Sequence, residues 1–338
     1  MFFNKISKFI YKVSLLITLS FLLSYTGSFC QSTEDLMIKE TQFFMKGDPF
    51  VYNGISFFNA IYNPEFNRSD STRSYWLKKF RNYGVNVIRV WGQWDNARGF
   101  VDACEECTLY DMDGNINSDY LLILRDISKS ASDLNMVIEL SLFSRESWEE
   151  NIRLPKDSYM KAAASLASEL KDLRNITFQI WNEHSMYIPE IYQAIKSVDP
   201  YRLVTNSPGY GGVLGDRKQN ELLDFLTPHT SRHDNHWDLA PAEIRQLLET
   251  YYKPVVDDEP ARTGTVKYGG PKGDNFPSDF IIHMYNVWKA GGYVFYHHDM
   301  FQNGYGSEAV PPSGIPDPEF RLFHQRALEL LSLIERYK

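Results

Sequence analysis

Glu183 and Glu259 each stand at the end of an apolar run, in the stretches QIWNEH and VVDDEPAR. Carboxylates are seldom buried and cost free energy when they are, so an acid that terminates an apolar run is a better candidate for chemistry than one on a solvated loop. Two carboxyl groups that face each other across a gap can divide one reaction between them. One, held protonated, gives its proton to a leaving oxygen, while the other attacks the carbon which that oxygen leaves. Asn182 directly precedes the first acid, and Arg89 lies near the end of another apolar run, NVIRVW. His184, His229, His233, His297 and His298 also fall on or just after the ends of such runs. Clustering of this kind is what the rim of an active site produces, whereas structural histidines and acids scatter over helices and loops.

The elements that must position these residues read as eight strand-then-helix pairs. Strands are expected over residues 50–59, 85–91, 136–143, 176–182, 203–207, 225–229, 254–259 and 292–297, and helices over 72–83, 118–135, 158–173, 188–198, 219–223, 241–252, 278–290 and 318–337. The strands are continuous apolar runs such as VNVIRVW, MVIEL and GGYVFY, the pattern of strands buried on both faces of a parallel sheet. The turn after the first strand reads SFFNAIYN, without the glycines of a doubly wound nucleotide-binding fold, so the pattern predicts an α/β chain with a (β/α)8 TIM barrel as its single domain. The segment FFMKGDPFVYNG, with a Gly-Asp-Pro turn between two apolar arms, is expected to form a short N-terminal β-hairpin that caps the bottom of the barrel. Glu183 then ends strand four and Glu259 strand seven, and the two meet across the mouth where barrel chemistry sits.

The 338 residues carry a net charge of −8 and are 15% aromatic, which argues against nucleic acid as a partner because no basic footprint is present. Residues 1–30 have the order of a secretory signal peptide: Lys5, Lys8 and Lys12, then an apolar run from Val13 to Tyr25 that is short of the roughly 20 residues a membrane span needs. The expectation is an exported chain with a linker over 31–41 and a catalytic domain over 42–338. It would be periplasmic, secreted or held at the cell surface by a lipid on Cys30. In an oxidising compartment Cys104 and Cys107 are expected to form a disulfide in the long loop after Trp91, with free thiols or a metal as the lesser readings. No cofactor is expected. A metal hydrolase on this barrel would show a His-x-His pair on strand one, which has no histidine, and the adjacent His297 and His298 point to opposite faces.

NVIRVWGQWDN, QIWNEH and VVDDEPAR on strands two, four and seven resemble the clan A retaining glycoside hydrolases, and the chain is similar to family 5 and its neighbours across most of residues 42–336. The resemblance implies that β-glycosidic bonds of a polysaccharide or oligosaccharide are cleaved by double displacement, with Glu183 as acid/base and Glu259 as nucleophile. It further implies that Asn182 binds the sugar's 2-hydroxyl and that Arg89 keeps the nucleophile ionised. Two departures stand out: PHTSRHDNHW offers His229 but lacks the clan's strand-six tyrosine, and YVFYHHDMF leaves Tyr296, His297 or His298 to replace its strand-eight tryptophan. Trp91, Trp94, Trp148 and Trp237 are candidate sugar platforms, whereas Trp76, Trp181 and Trp288 read as packing. The departures also keep open a second reading, a non-catalytic carbohydrate-binding protein on a decayed glycosidase barrel.

Overall fold

The computed structural model describes residues 36–94, 107–208, 214–232, 235–261, 276–298, 300 and 310–336. The chain opens with an antiparallel meander of β1 (Leu36–Lys39), β2 (Gln42–Met45) and β3 (Asp48–Phe50). Met45 pairs with Asp48, so the β2–β3 turn is Lys46-Gly47, one step before the expected Gly-Asp-Pro. Both turn residues have positive φ, 55° and 89°, as a two-residue hairpin of matching twist requires. Pro49 falls instead in β3, an edge strand, where its missing N–H costs no ladder bond.

Strands and helices then alternate: β4 (Gly54–Ser56), α1 (Asp70–Asn82), β5 (Val87–Trp91), α2 (Ser118–Ser132), β6 (Val137–Ser144), α3 (Arg145–Glu149), α4 (Lys156–Glu169), β7 (Ile176–Asn182), α5 (Ile188–Val198), β8 (Val204–Thr205), α6 (Arg217–Leu222), α7 (His236–Tyr251), β9 (Val256–Asp257), α8 (Pro277–Lys289), β10 (Tyr293–Tyr296) and α9 (Leu322–Arg336). The strands form one seven-stranded sheet, parallel at every pairing, in the order β8-β7-β6-β5-β4-β10-β9. It curls as a half-barrel of the TIM type. The sixth expected strand shrinks to a single parallel bridge, Leu226 with Val255. Asp224 N–H donates to the Val204 carbonyl (3.0 Å), and Val256 N–H donates to that of Leu226 (2.8 Å), so this segment touches both outer strands of the sheet.

Local chemistry accounts for the helix starts. Ser69 caps α1 by accepting from Thr72 N–H, and Asn117 caps α2 by accepting from Asp119 and Tyr120. Helix α7 begins at His236 rather than at Pro241, as the sequence suggests. A proline inside a helix leaves the carbonyl four residues earlier without its partner. That carbonyl, of Trp237, accepts from Asn286 Nδ2 on α8 (2.9 Å). Trp237 therefore sits on a helix and not on a loop. Among the described residues no helix is long and apolar enough to cross a membrane.

Inside the sheet the core has two layers. At the base Phe43, Tyr52, Phe225, Tyr293 and Phe295 pack with Val87, Val137 and Val256. Above them lies a buried polar layer of Arg89, Glu139, Ser141, Thr177, Gln179 and Asp258, which carries the residues of the mouth.

Candidate active site

Parallel register brings the residues to one end. Phe143 lies beside Trp181 and Ser144 beside Asn182, so Arg145, the next residue after β6, meets Glu183, the next residue after β7. Glu183 takes a positive φ of 55°, uncommon for a residue with a side chain and costly enough to persist only where its surroundings hold it. On β9 and just beyond, three consecutive acids face three ways. Asp257 accepts from Thr230 Oγ1 (2.7 Å) and lies 2.9 Å from His283 Nε2. Asp258 accepts from Gln179 Nε2 (2.6 Å) and lies 3.3 Å from Arg89 Nε. Glu259 reaches the mouth.

There, one imidazole joins the two expected catalytic acids. His229 Nδ1 is 2.9 Å from Glu183 Oε1, and its Nε2 is 2.9 Å from Glu259 Oε2 and hydrogen-bonded to Ser207 Oγ. One carboxylate oxygen from each glutamate and a ring nitrogen of His229 all lie within 4.8 Å of one another. Guanidinium groups surround the pair. Arg145 Nη2 is 2.6 Å from Glu183 Oε2, and Arg232 Nη2 is 3.8 Å from each glutamate while donating to the Glu259 carbonyl at 2.9 Å. Arg89 Nη1 is 3.6 Å from Glu259 Oε2, and its Nη2 donates to Gln179 (2.6 Å) and Asn182 (2.7 Å). Asn182 Nδ2 in turn donates to Glu146 Oε2 at 3.3 Å.

These contacts set the charges. Burial pushes the Glu259 carboxyl upward, but His229, His297 and Arg232 outweigh it and hold the group well below the usual carboxylate range. Glu183 is likewise held down, burial being overcome by the His229 contact. Burial works against the charged form of His229, yet the two glutamates raise it to about 9. The ring is thus an imidazolium at neutral pH, with one nitrogen turned to each carboxylate. One layer down, burial and the charge of Asp258 lift Glu139 to about 8, and burial raises Asp258 as well.

The structure thus brings Glu183, Glu259, Asn182, Arg89 and His229 together. His297 joins them, with Nε2 at 3.4 Å from Glu259 Oε1 and Nδ1 on the Pro260 carbonyl. The other strand-eight candidates turn away: His298 Nε2 bonds the Ser56 carbonyl (2.7 Å), and Tyr296, 1% exposed, bonds His324 through its hydroxyl. Trp91 and Trp94 are expected as platforms, but both are buried. Trp91 has the Arg89 guanidinium over its ring at 4.3 Å, and Trp94 stacks on Phe58. Trp148 lies under the Arg153 guanidinium and beside His184, and Trp237 is half-buried on α7. Cys107 is buried and disulfide-bonded, whereas Cys104, Cys30 and His233 lie outside the described residues. Arg145, Arg232, Glu146 and Ser207 are absent from the sequence expectation. Arg145 was within reach of it, because it directly follows the third barrel strand.

A family model for cellulase (glycosyl hydrolase family 5) matches residues 45–235. The chain belongs to this family. It is a glycosidase, and carbohydrate is its substrate. Among curated proteins none matches. Solved structures agree on the fold. A family 5 glycoside hydrolase from Bacteroides vulgatus is similar at a TM-score of 0.66 and 16% identity, over 90% of this chain and 72% of that one. A β-mannanase from the blue mussel Mytilus edulis gives 0.57 and 15%, over 89% and 96%. A family 5 mannosidase from Rhizomucor miehei gives 0.59 and 13%, over 90% and 99%.

Proposed function

We propose that the protein is a retaining glycosidase that cleaves β-glycosidic bonds of a polysaccharide or oligosaccharide, on a barrel closed to eight strands by the segment around Leu226. The observation that carries this reading is the closeness of Glu183 and Glu259, with carboxylate oxygens within 4.8 Å of one another. Carboxyl groups about 5 to 5.5 Å apart suit retention, whereas inversion needs roughly 6.5 to 9.5 Å to seat a water between acid and sugar.

In the first step protonated Glu183 gives its proton to the glycosidic oxygen. The bond from that oxygen to the anomeric carbon breaks as Glu259 Oε forms an ester to that carbon. In the second step Glu183, now a carboxylate, takes a proton from water whose oxygen attacks the anomeric carbon, and Glu259 leaves. Arg89, His229 and His297 keep Glu259 ionised for the attack, and Asn182, held by Arg89 and Glu146, is placed to bind the sugar's 2-hydroxyl. We place the reaction outside the cytoplasm, after export directed by residues 1–30 and with Cys30 as the point of cleavage or lipid attachment.

The test is Glu259→Ala with an activated aryl β-glycoside. Turnover should vanish and return with azide as an α-glycosyl azide, and the wild type should release the β-anomer first. An unaffected Glu259→Ala enzyme would sink the reading. A panel of mannans, glucans and xylans identifies the sugar.

A further inference from the structure

Helix α3 grips the Asn182-Glu183 pair at two points. Arg145 Nη2 meets Glu183 Oε2 at 2.6 Å, and Glu146 Oε2 accepts from Asn182 Nδ2 at 3.3 Å. The grip is built by register, since Ser144 pairs with Asn182 and also caps the helix, accepting from Ser147 N–H. Arg145 is only 12% exposed and lies 3.6 Å from both Glu146 and Glu149. It is therefore held on its own element while it reaches the carboxylate on the neighbouring one.

We propose that Arg145 is a positioning residue of the glycosidase reaction, one that holds the Glu183 carboxyl in place and favours the carboxylate required by the second displacement. The inference rests on Glu183 being the acid/base. A carboxylate met on Oε2 by a guanidinium and on Oε1 by His229 keeps both oxygens in defined places, and the two cations favour its charged form over the acid that the first step consumes. The groups that face Glu183 are Arg145 and Glu146 from α3, His229 and Arg232 from the segment before α7, Glu259 after β9 and Arg89 from β5. Of the cations, Arg145 makes the shortest contact to Glu183, whereas His229, Arg232 and Arg89 also lie against Glu259, so Arg145 is the one whose removal is tested. Removing a cation from a carboxylate raises its pKa, which carries the alkaline limb of kcat/KM, set by loss of the acid form, to higher pH.

The experiment uses the full chain with glutamate labelled at Cδ, the Glu183 resonance being assigned by its loss in Glu183→Gln. In ligand-free Arg145→Gln the Glu183 titration should rise by about one pH unit, and in Arg145→Lys by less. The alkaline limb of kcat/KM should move by the same amount. On a dinitrophenyl glycoside, whose leaving group needs no proton, kcat should fall about tenfold because the second step then limits. A Glu183 titration unmoved in both variants overturns the proposal. So does an Arg145→Gln enzyme that loses activity equally at every pH and is not restored by lysine. If Arg145→Gln does not fold, Arg145→Lys carries the same titration. Because the titration needs no substrate, a wild type without turnover defeats the glycosidase reading separately from this one.

Discussion

The two ends of the sheet are built from opposite materials. At the base, Phe43 stacks on Tyr52 with ring centroids 4.3 Å apart and meets Phe225 and Tyr293 edge-on at 5.3 Å, closed below by the meander. Toward the mouth, each acid of the run Asp257, Asp258 and Glu259 has its own partner, His283, Arg89 and His229 respectively. Aromatic packing is a sum of many small attractions, so losing one ring lowers stability without altering any charge, whereas the mouth is a coupled network in which removing one cation leaves buried charge unanswered. The base should therefore fail by losing stability, and the mouth by losing activity and changing its response to pH.

The largest effect is expected at His229, which bridges Glu183 and Glu259, the two proposed catalytic acids. His229→Ala leaves two close carboxylates repelling each other, so both titrate at higher pH. The acidic limb of kcat/KM, set by ionisation of the nucleophile, should move upward, and activity should fall by about 10²- to 10⁴-fold. A pH profile that keeps its acidic limb would break the comparison on the mouth's side. Phe43→Ala is the counterpart at the base. It should cost about 3–5 kcal/mol in urea unfolding, as truncation of a buried phenylalanine does, while leaving both limbs of the pH profile in place at permissive temperature.

The base and the parallel strands of the half-barrel were legible in the sequence because burial writes itself as apolar runs: β5 and β7 lie within the runs that announce them, and β6 passes its own by one residue, Ser144. The sixth strand was less so. Phe225-Leu226 is apolar, but it makes only one bridge, and no pattern in the residues distinguishes a bridge from a ladder. At the mouth the acids were legible by their place at strand ends, and Arg145 by the same rule had it been applied to the third strand. Arg232 was passed over beside His229 and His233, since an arginine in the polar stretch PHTSRHDNHW reads as solvated loop. The aromatic platforms misled for a related reason: Trp91 ends a strand and Trp94 follows it, but the tight packing of Phe58 and Arg89 claims their rings.

A smaller effect is expected in the layer between the two ends. Glu139 keeps its proton in the folded chain up to about pH 8, against an ordinary 4.5. Between those values the folded chain binds more protons than the unfolded one, so stability falls as pH rises, by at most about 1.4 kcal/mol per pH unit from this group. Glu139→Gln removes the titration. Its urea midpoint should decline less between pH 5 and 8 than that of the wild type. An identical decline in both would show that the layer carries no such proton.

Tyr52 belongs to both regions, with its ring in the aromatic base and its hydroxyl 2.9 Å from Glu139 Oε2 and 2.7 Å from Thr177 Oγ1. Tyr52→Phe keeps the ring and deletes the link. The base should not notice, and the lost hydrogen bond to a buried group should cost about 1 kcal/mol, the smallest effect of the series. The hydroxyl holds Glu139 down against its burial, so its removal should also push Glu139 further up and extend the fall in stability to higher pH. Urea midpoints of Tyr52→Phe and wild type at pH 6 and pH 9 measure both terms. A difference between the two proteins that is equal at the two pH values would mean that the hydroxyl serves packing alone, and that the base and the mouth are electrostatically separate.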